Sequence, residues 1–125
     1  MKNLAVILII VLVISASCEK DNNHPAPIVD PDYHLSINES FEIELGANPS
    51  TGYTWNCANL AKVNFIDSVN WNYVPDLPIR DGGGGKEIWV FKAISKGVDS
   101  IRFEYNRSWE SNSTIEIKTF WVKVD

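Results

Sequence analysis

Histidine and cysteine are scarce in this chain, two of each in 125 residues, and their positions exclude most chemistry. His24 sits in a stretch rich in Pro and Asn, and His34 stands at the edge of the patterned region. Neither lies where it would serve a Ser or Cys nucleophile as base, so no hydrolytic triad is indicated and the chain does not read as an enzyme. Metal binding needs clustered ligands, and Cys57 with His34 has no metal-ligand spacing, while Asp30 and Asp32 are ordinary turn residues. No metal and no cofactor are expected. Bases are also few: 11 Lys and Arg against 16 Asp and Glu give a net charge of −5, which argues against nucleic acid or an anionic lipid surface as partner. Helical periodicity, heptads and internal repeats are all absent.

The one long apolar run is N-terminal. Lys2, the apolar stretch from Leu4 to Ile14 and the small residues after it have the form of an export signal over residues 1–17. That run is about eleven residues, shorter than the roughly 20 that cross a bilayer as a helix. Ile14-Ser15-Ala16-Ser17-Cys18 resembles a bacterial lipobox, with Cys18 as the lipidated residue and Ser15 in place of the usual leucine. Cys57 is then a small apolar filler; without lipid on Cys18, a bridge between the two is the other possibility. Residues 18–32 are polar and rich in Asn, Asp and Pro and read as a flexible tether. Glu19-Lys20-Asp21 is similar to the export tag of surface lipoproteins in some Gram-negative lineages, which places the protein in a bacterial envelope, lipid-anchored in the outer membrane, facing the periplasm or the outside.

Residues 33–125 form the folded domain, of a size for one core and expected to be monomeric. Phe41-Glu42-Ile43-Glu44-Leu45 and Ile101-Arg102-Phe103-Glu104-Tyr105 alternate apolar and charged residues with period two, the pattern of half-buried strands. Glu87-Ile88-Trp89-Val90-Phe91 is apolar on both faces and predicts a central strand. Near the C-terminus Ile115 and Ile117 share one parity and Phe120, Val122 and Val124 the other, which predicts a bulge near Lys118-Thr119. Segments around Thr54 to Cys57 and Val63 to Trp71 complete an all-β domain of about seven strands, a β-sandwich.

Three loops between these strands have unusual composition. In Asn48-Pro49-Ser50-Thr51-Gly52-Tyr53, proline fixes φ, glycine permits the reverse bend, and the tip is small and uncharged. A stiff tip of this kind loses little entropy on entering a cleft. Tyr53 and Trp55 alternate into the next strand, one to brace the loop and one to enter the core. Asp81-Gly82-Gly83-Gly84-Gly85 is not a phosphate loop, because Lys86 is followed by Glu87. It offers backbone without side chains, either a slack hairpin or a surface that lies flush against another. Asn106-Arg107-Ser108-Trp109 puts Arg and Trp in a loop, where both are typical interface anchors.

In this order and on this strand pattern, the three loops resemble the chagasin-like family of cysteine-peptidase inhibitors, over about Ser40 to Val124. The family's asparagine-proline-x-threonine-glycine-tyrosine loop is met by Asn48, Pro49, Ser50, Thr51, Gly52 and Tyr53. Its glycine loop is met by Gly82, Gly83, Gly84 and Gly85, and its arginine-proline-tryptophan by Arg107 and Trp109, with Ser108 where the proline belongs. The resemblance implies an immunoglobulin-like β-sandwich that reversibly inhibits papain-like cysteine peptidases. The first loop would enter the active-site cleft, with Thr51 near the catalytic cysteine and the other two loops pressing on either side. The competing expectation is an immunoglobulin-like surface module that binds glycan or an envelope partner through its five tryptophans.

Overall fold

The computed structural model describes residues 30–125. The export signal, Cys18 and the tether as far as residue 29 lie outside the described residues. Seven strands follow: β1 (Tyr33–Leu35), β2 (Ser40–Ala47), β3 (Thr54–Cys57), β4 (Ile66–Pro75), β5 (Gly85–Ala93), β6 (Gly97–Asn106) and β7 (Glu116–Val124). Only two short 3-10 turns, Pro49–Thr51 and Leu60–Lys62, interrupt them.

They form two sheets, ordered β1-β7-β6-β3 and β2-β5-β4, antiparallel except for the β1–β7 pair. The alternation read in β2 and β6 holds: Phe41, Ile43 and Leu45 and, across from them, Ile101, Phe103 and Tyr105 are buried while the charged residues between face out. β5 is the central strand of its sheet, as its composition predicts. Phe91 and Phe103 meet edge to face between the sheets at 6.1 Å, and Phe41 stacks on Phe91 at 5.5 Å. This is the favoured geometry of aromatic pairs in a core.

The bulge expected near Lys118-Thr119 is not there. β6 and β7 pair in one unbroken register from Gly97↔Val124 to Tyr105↔Glu116. Glu116 and Lys118 therefore share the inner parity with Phe120, Val122 and Val124. Lys118 reaches its amine over the Trp55 ring at 5.6 Å, its stem covering apolar surface while its charge stays wet. Ile115 and Ile117 are left exposed on the outside. The strand that does need a bulge is β4, where the register shifts between Ser68 and Asn70. Val69 is turned out to solvent, and Ile66 and Trp71, of opposite parity in sequence, come to face the same side.

Cys57, at the end of β3, is half-buried, forms no disulfide among the described residues, and burial pushes its thiol pKa up. Asp32 accepts a hydrogen bond from the Trp121 N–H at 2.7 Å, the kind of local role its turn setting suggests.

Candidate functional site

Strand direction brings the three loops to one end of the sandwich. Ala47 at the end of β2 and Pro75 at the end of β4 both pair with Gly85 at the start of β5, and Thr54 at the start of β3 pairs with Asn106 at the end of β6. The 48–53 loop crosses from one sheet to the other and is central. The β4–β5 loop flanks it on the three-stranded side and the β6–β7 loop on the four-stranded side.

The central loop is held by its own side chains. Asn48 caps the 3-10 turn, its Oδ1 accepting from the Ser50 N–H at 3.2 Å and the Ser50 hydroxyl at 2.6 Å. Thr51 Oγ1 donates to the Asn48 carbonyl at 2.6 Å. Gly52 ends the turn at φ +80°, and its N–H donates to the Pro49 carbonyl at 3.0 Å. That left-handed conformation requires glycine, and a Cβ there would also lie 2.7 Å from the Trp109 ring. Pro49, Ser50 and Thr51 are left as an exposed, uncharged tip. Below them Tyr53 packs against Tyr105 with the rings tilted and 5.5 Å apart, and Trp55 is buried and stacked on the same ring at 4.8 Å, the division of roles expected from their alternation.

Both neighbouring loops are fastened to this centre. On one side Asn48 Nδ2 donates to the Gly82 carbonyl at 3.0 Å, and the glycine loop closes on itself through Asp76 N–H to Gly84 O and Gly83 N–H to Arg80 O, each 3.0 Å. It is a pinned loop, not a slack one. Gly82 takes φ +72° at the surface, and Gly83 is exposed. Gly85 lies inside β5, buried, where a Cβ would be 2.3 Å from the Val74 carbonyl; it allows close strand packing and offers no loop surface. On the other side Arg107 Nε and Nη2 donate to the Thr51 carbonyl at 3.1 and 3.0 Å, and the guanidinium lies 4.4 Å from the centre of the Tyr53 ring. Trp109 is 72 % exposed beside Gly52.

Two groups of residues at this end escape the sequence patterns. Leu77 and Ile79, in the β4–β5 loop, are 84 % and 72 % exposed and add an apolar rim opposite Trp109. Their signal is an apolar Leu-Pro-Ile in a loop, where polar residues are the rule. Glu87 is the second: it is 2 % exposed on the inner face of β5. Its carboxylate accepts from the Trp55 N–H at 2.9 Å, on the free edge of β3, and from Trp71 Nε1 at 2.7 Å. It joins the two sheets directly under the central loop. There it closes a cleft of about 170 Å³ lined also by Ala47, Pro49, Tyr53, Thr54, Trp71 and Tyr73. An acid in an otherwise apolar strand is the signal for it.

This end carries no group of His, Cys, Asp or Glu fit to hold a metal ion among the described residues. What it presents is an internally capped, uncharged tip between loops that expose Leu77 and Ile79 on one side and Trp109 on the other.

Residues 34–124 match the family described as chagasin family peptidase inhibitor I42. Amoebiasin-1 of Entamoeba histolytica is 30% identical over 112 residues, 87% of this chain and 97% of its own length. Amoebiasin-2 of the same organism is 32% identical over 81 residues, 62% of this chain and 63% of its own length, so the match spans just under two thirds of that relative. Among solved structures, a crystal structure of the cysteine protease inhibitor EhICP2 from Entamoeba histolytica shares the fold, with a TM-score of 0.63 at 24% identity over 74% of this chain and 85% of that one. A solution structure of Amebosin aligns with a TM-score of 0.55 at 30% identity, covering 74% and 84% of the two chains.

Proposed function

We propose that this chain, which belongs to the chagasin family of peptidase inhibitors, inhibits papain-like cysteine peptidases by seating the tip Pro49–Thr51 in the active-site cleft. The observation that carries this is the exposure of that uncharged, internally capped tip between two loops that are both hydrogen-bonded to it. Thr51 then lies near the peptidase cysteine, while Gly82, Gly83 and the rim of Leu77 and Ile79 meet one wall of the cleft and Trp109 the other. Because the three loops are ordered before binding, little entropy is lost in the encounter. Glycan binding through a row of tryptophans is not favoured: Trp55 is buried, Trp89 packs against the core, and exposed Trp71 and Trp109 stand on separate elements. The test is hydrolysis of a fluorogenic peptide by papain titrated with the chain. Competitive inhibition reversed on dilution supports the wedge; no inhibition by folded protein rejects it.

The third loop bears a directly testable weakness. Glu110 N–H bonds to the Arg107 carbonyl at 3.1 Å, which makes residues 107–110 a turn with Ser108 at its second position. Proline is favoured there, and the turn does not use that residue's N–H. Ser108→Pro is expected to tighten inhibition about two- to fivefold by restricting the free loop. An inhibition constant that stays the same or rises contradicts this.

The N-terminal sequence supports a setting as well: an inhibitor tethered through lipid on Cys18 to a bacterial envelope, at the outer membrane, with residues 19–32 as spacer. Cys18→Ala is expected to abolish incorporation of labelled palmitate and move the protein from the membrane to the soluble fraction. Unchanged labelling contradicts the lipid site.

A further inference from the structure

The sequence groups Arg107 with the residues that face a peptidase, but its guanidinium turns back into the protein. Nε and Nη2 both donate to the carbonyl oxygen of Thr51, at 3.1 and 3.0 Å. The Tyr53 ring lies 4.4 Å from the guanidinium, and Nη1 is paired with Glu110 at 3.3 Å, so three neighbours fix the fork in place. Given the wedge reading above, on which this inference rests, Thr51–Gly52 is the peptide bond at the tip nearest the peptidase cysteine. We propose that Arg107 protects this bond from hydrolysis by holding the Thr51 carbonyl oxygen toward the third loop and away from the peptidase's oxyanion-hole donors.

Cleavage requires the peptidase thiolate to add to the Thr51 carbonyl carbon, which moves the C=O electron pair onto the oxygen. Hydrogen-bond donors of the enzyme must then meet that oxygen at its displaced, tetrahedral position. The C–N bond next breaks, the Gly52 nitrogen takes a proton, and water releases the acyl group from sulfur. Nε and Nη2 belong to one edge of a single, always protonated guanidinium, so both meet the Thr51 oxygen from one side and hold it turned toward the β6–β7 loop. Arg107 ties the oxygen to the inhibitor's own third loop, and its side chain stands where the donors of an enzyme's oxyanion hole would have to approach. The turn adds to this, because Gly52 N–H is bonded to the Pro49 carbonyl and the segment is not extended as a substrate is. Arg107 is therefore a positioning residue that makes the loop an inhibitor and not a substrate.

The experiment incubates the full chain with papain and follows both intact mass and residual inhibition over hours. Wild type is expected to stay whole and to inhibit at a constant level. Arg107→Ala is expected to inhibit transiently and then split at Thr51–Gly52 into two fragments whose masses add to the chain plus one water. This cut should appear roughly tenfold to a hundredfold faster than in wild type, as for the loss of a charge-assisted hydrogen bond. Arg107→Lys, which keeps the charge but not the fork, should be cut at an intermediate rate, and it carries the same test where alanine unfolds the loop. Trp109→Ala should weaken inhibition without that cut. The proposal is overturned if Arg107→Ala stays whole, if it is cut at scattered bonds, or if Trp109→Ala is cut at Thr51–Gly52 equally fast. A folded wild-type chain that fails to inhibit papain overturns the wedge reading beneath it, a result plainly different from an uncut but inhibiting Arg107→Ala.

Discussion

Replacing Thr51 with arginine is expected to weaken inhibition of papain by about a hundredfold or more while the sandwich stays folded. Thr51 is exposed at the end of a neutral tip whose neighbours are Ser50 and Gly52. A long cation there must either be buried without a partner in the cleft or hold the tip out of it, and both cost far more than the hydroxyl contributes. The threonine hydroxyl does cap the Asn48 carbonyl at 2.6 Å, so its loss alone removes about 1 kcal/mol of local order. Thr51→Ser separates the two effects: it keeps the cap and should inhibit within a few fold of wild type. Equal inhibition by Thr51→Arg and wild type, with unchanged thermal midpoints, would place the cleft contact elsewhere on the molecule.

The second large effect is on stability. Glu87→Leu should destabilise the domain by about 2–4 kcal/mol, since two N–H donors, one of them the buried Trp55 main-chain group, lose their only acceptor while the volume stays filled. For a domain of this size that is a fall of roughly 10 °C or more in Tm. Leucine is the informative choice. Replacing a buried polar cluster by apolar residues is tolerated when every partner is replaced, but the Trp55 amide cannot be. Because β3 leads directly out of the central loop, the variant should also inhibit less well at temperatures where it is still folded. A urea midpoint equal to that of wild type would mean that water or another acceptor serves both donors.

Much of this architecture is legible in the chain. Phe41, Ile43 and Leu45 and the set Ile101, Phe103 and Tyr105 announce their strands because each has a polar residue between apolar ones and one face to solvent. The loop residues are legible for a different reason: proline, glycine and asparagine at 48–52 restrict the backbone so strongly that composition implies conformation. What was not legible depends on contacts between elements. The parity change in β7 reads as a bulge when every apolar residue is taken to point inward, yet Ile115 and Ile117 face solvent and the Lys118 amine lies over the Trp55 ring. In β4 the bulge at Ser68/Asn70 is set by pairing with β5, which the sequence of β4 alone does not contain. Arg107 has the composition of an interface anchor, and only the distance to the Thr51 carbonyl reveals that it serves the neighbouring loop. Gly85 belongs to an apparently uniform glycine run, but the run divides into surface at Gly82 and Gly83 and buried strand at Gly85.

The measurement that most directly tests the three-loop wedge is hydrogen–deuterium exchange of the chain with and without an excess of papain. Slowed exchange confined to residues 48–53, 76–84 and 107–112, with the strand amides unchanged, is the expected result. Protection along the outer faces of the sheets, or none at all in a mixture that inhibits, would contradict it.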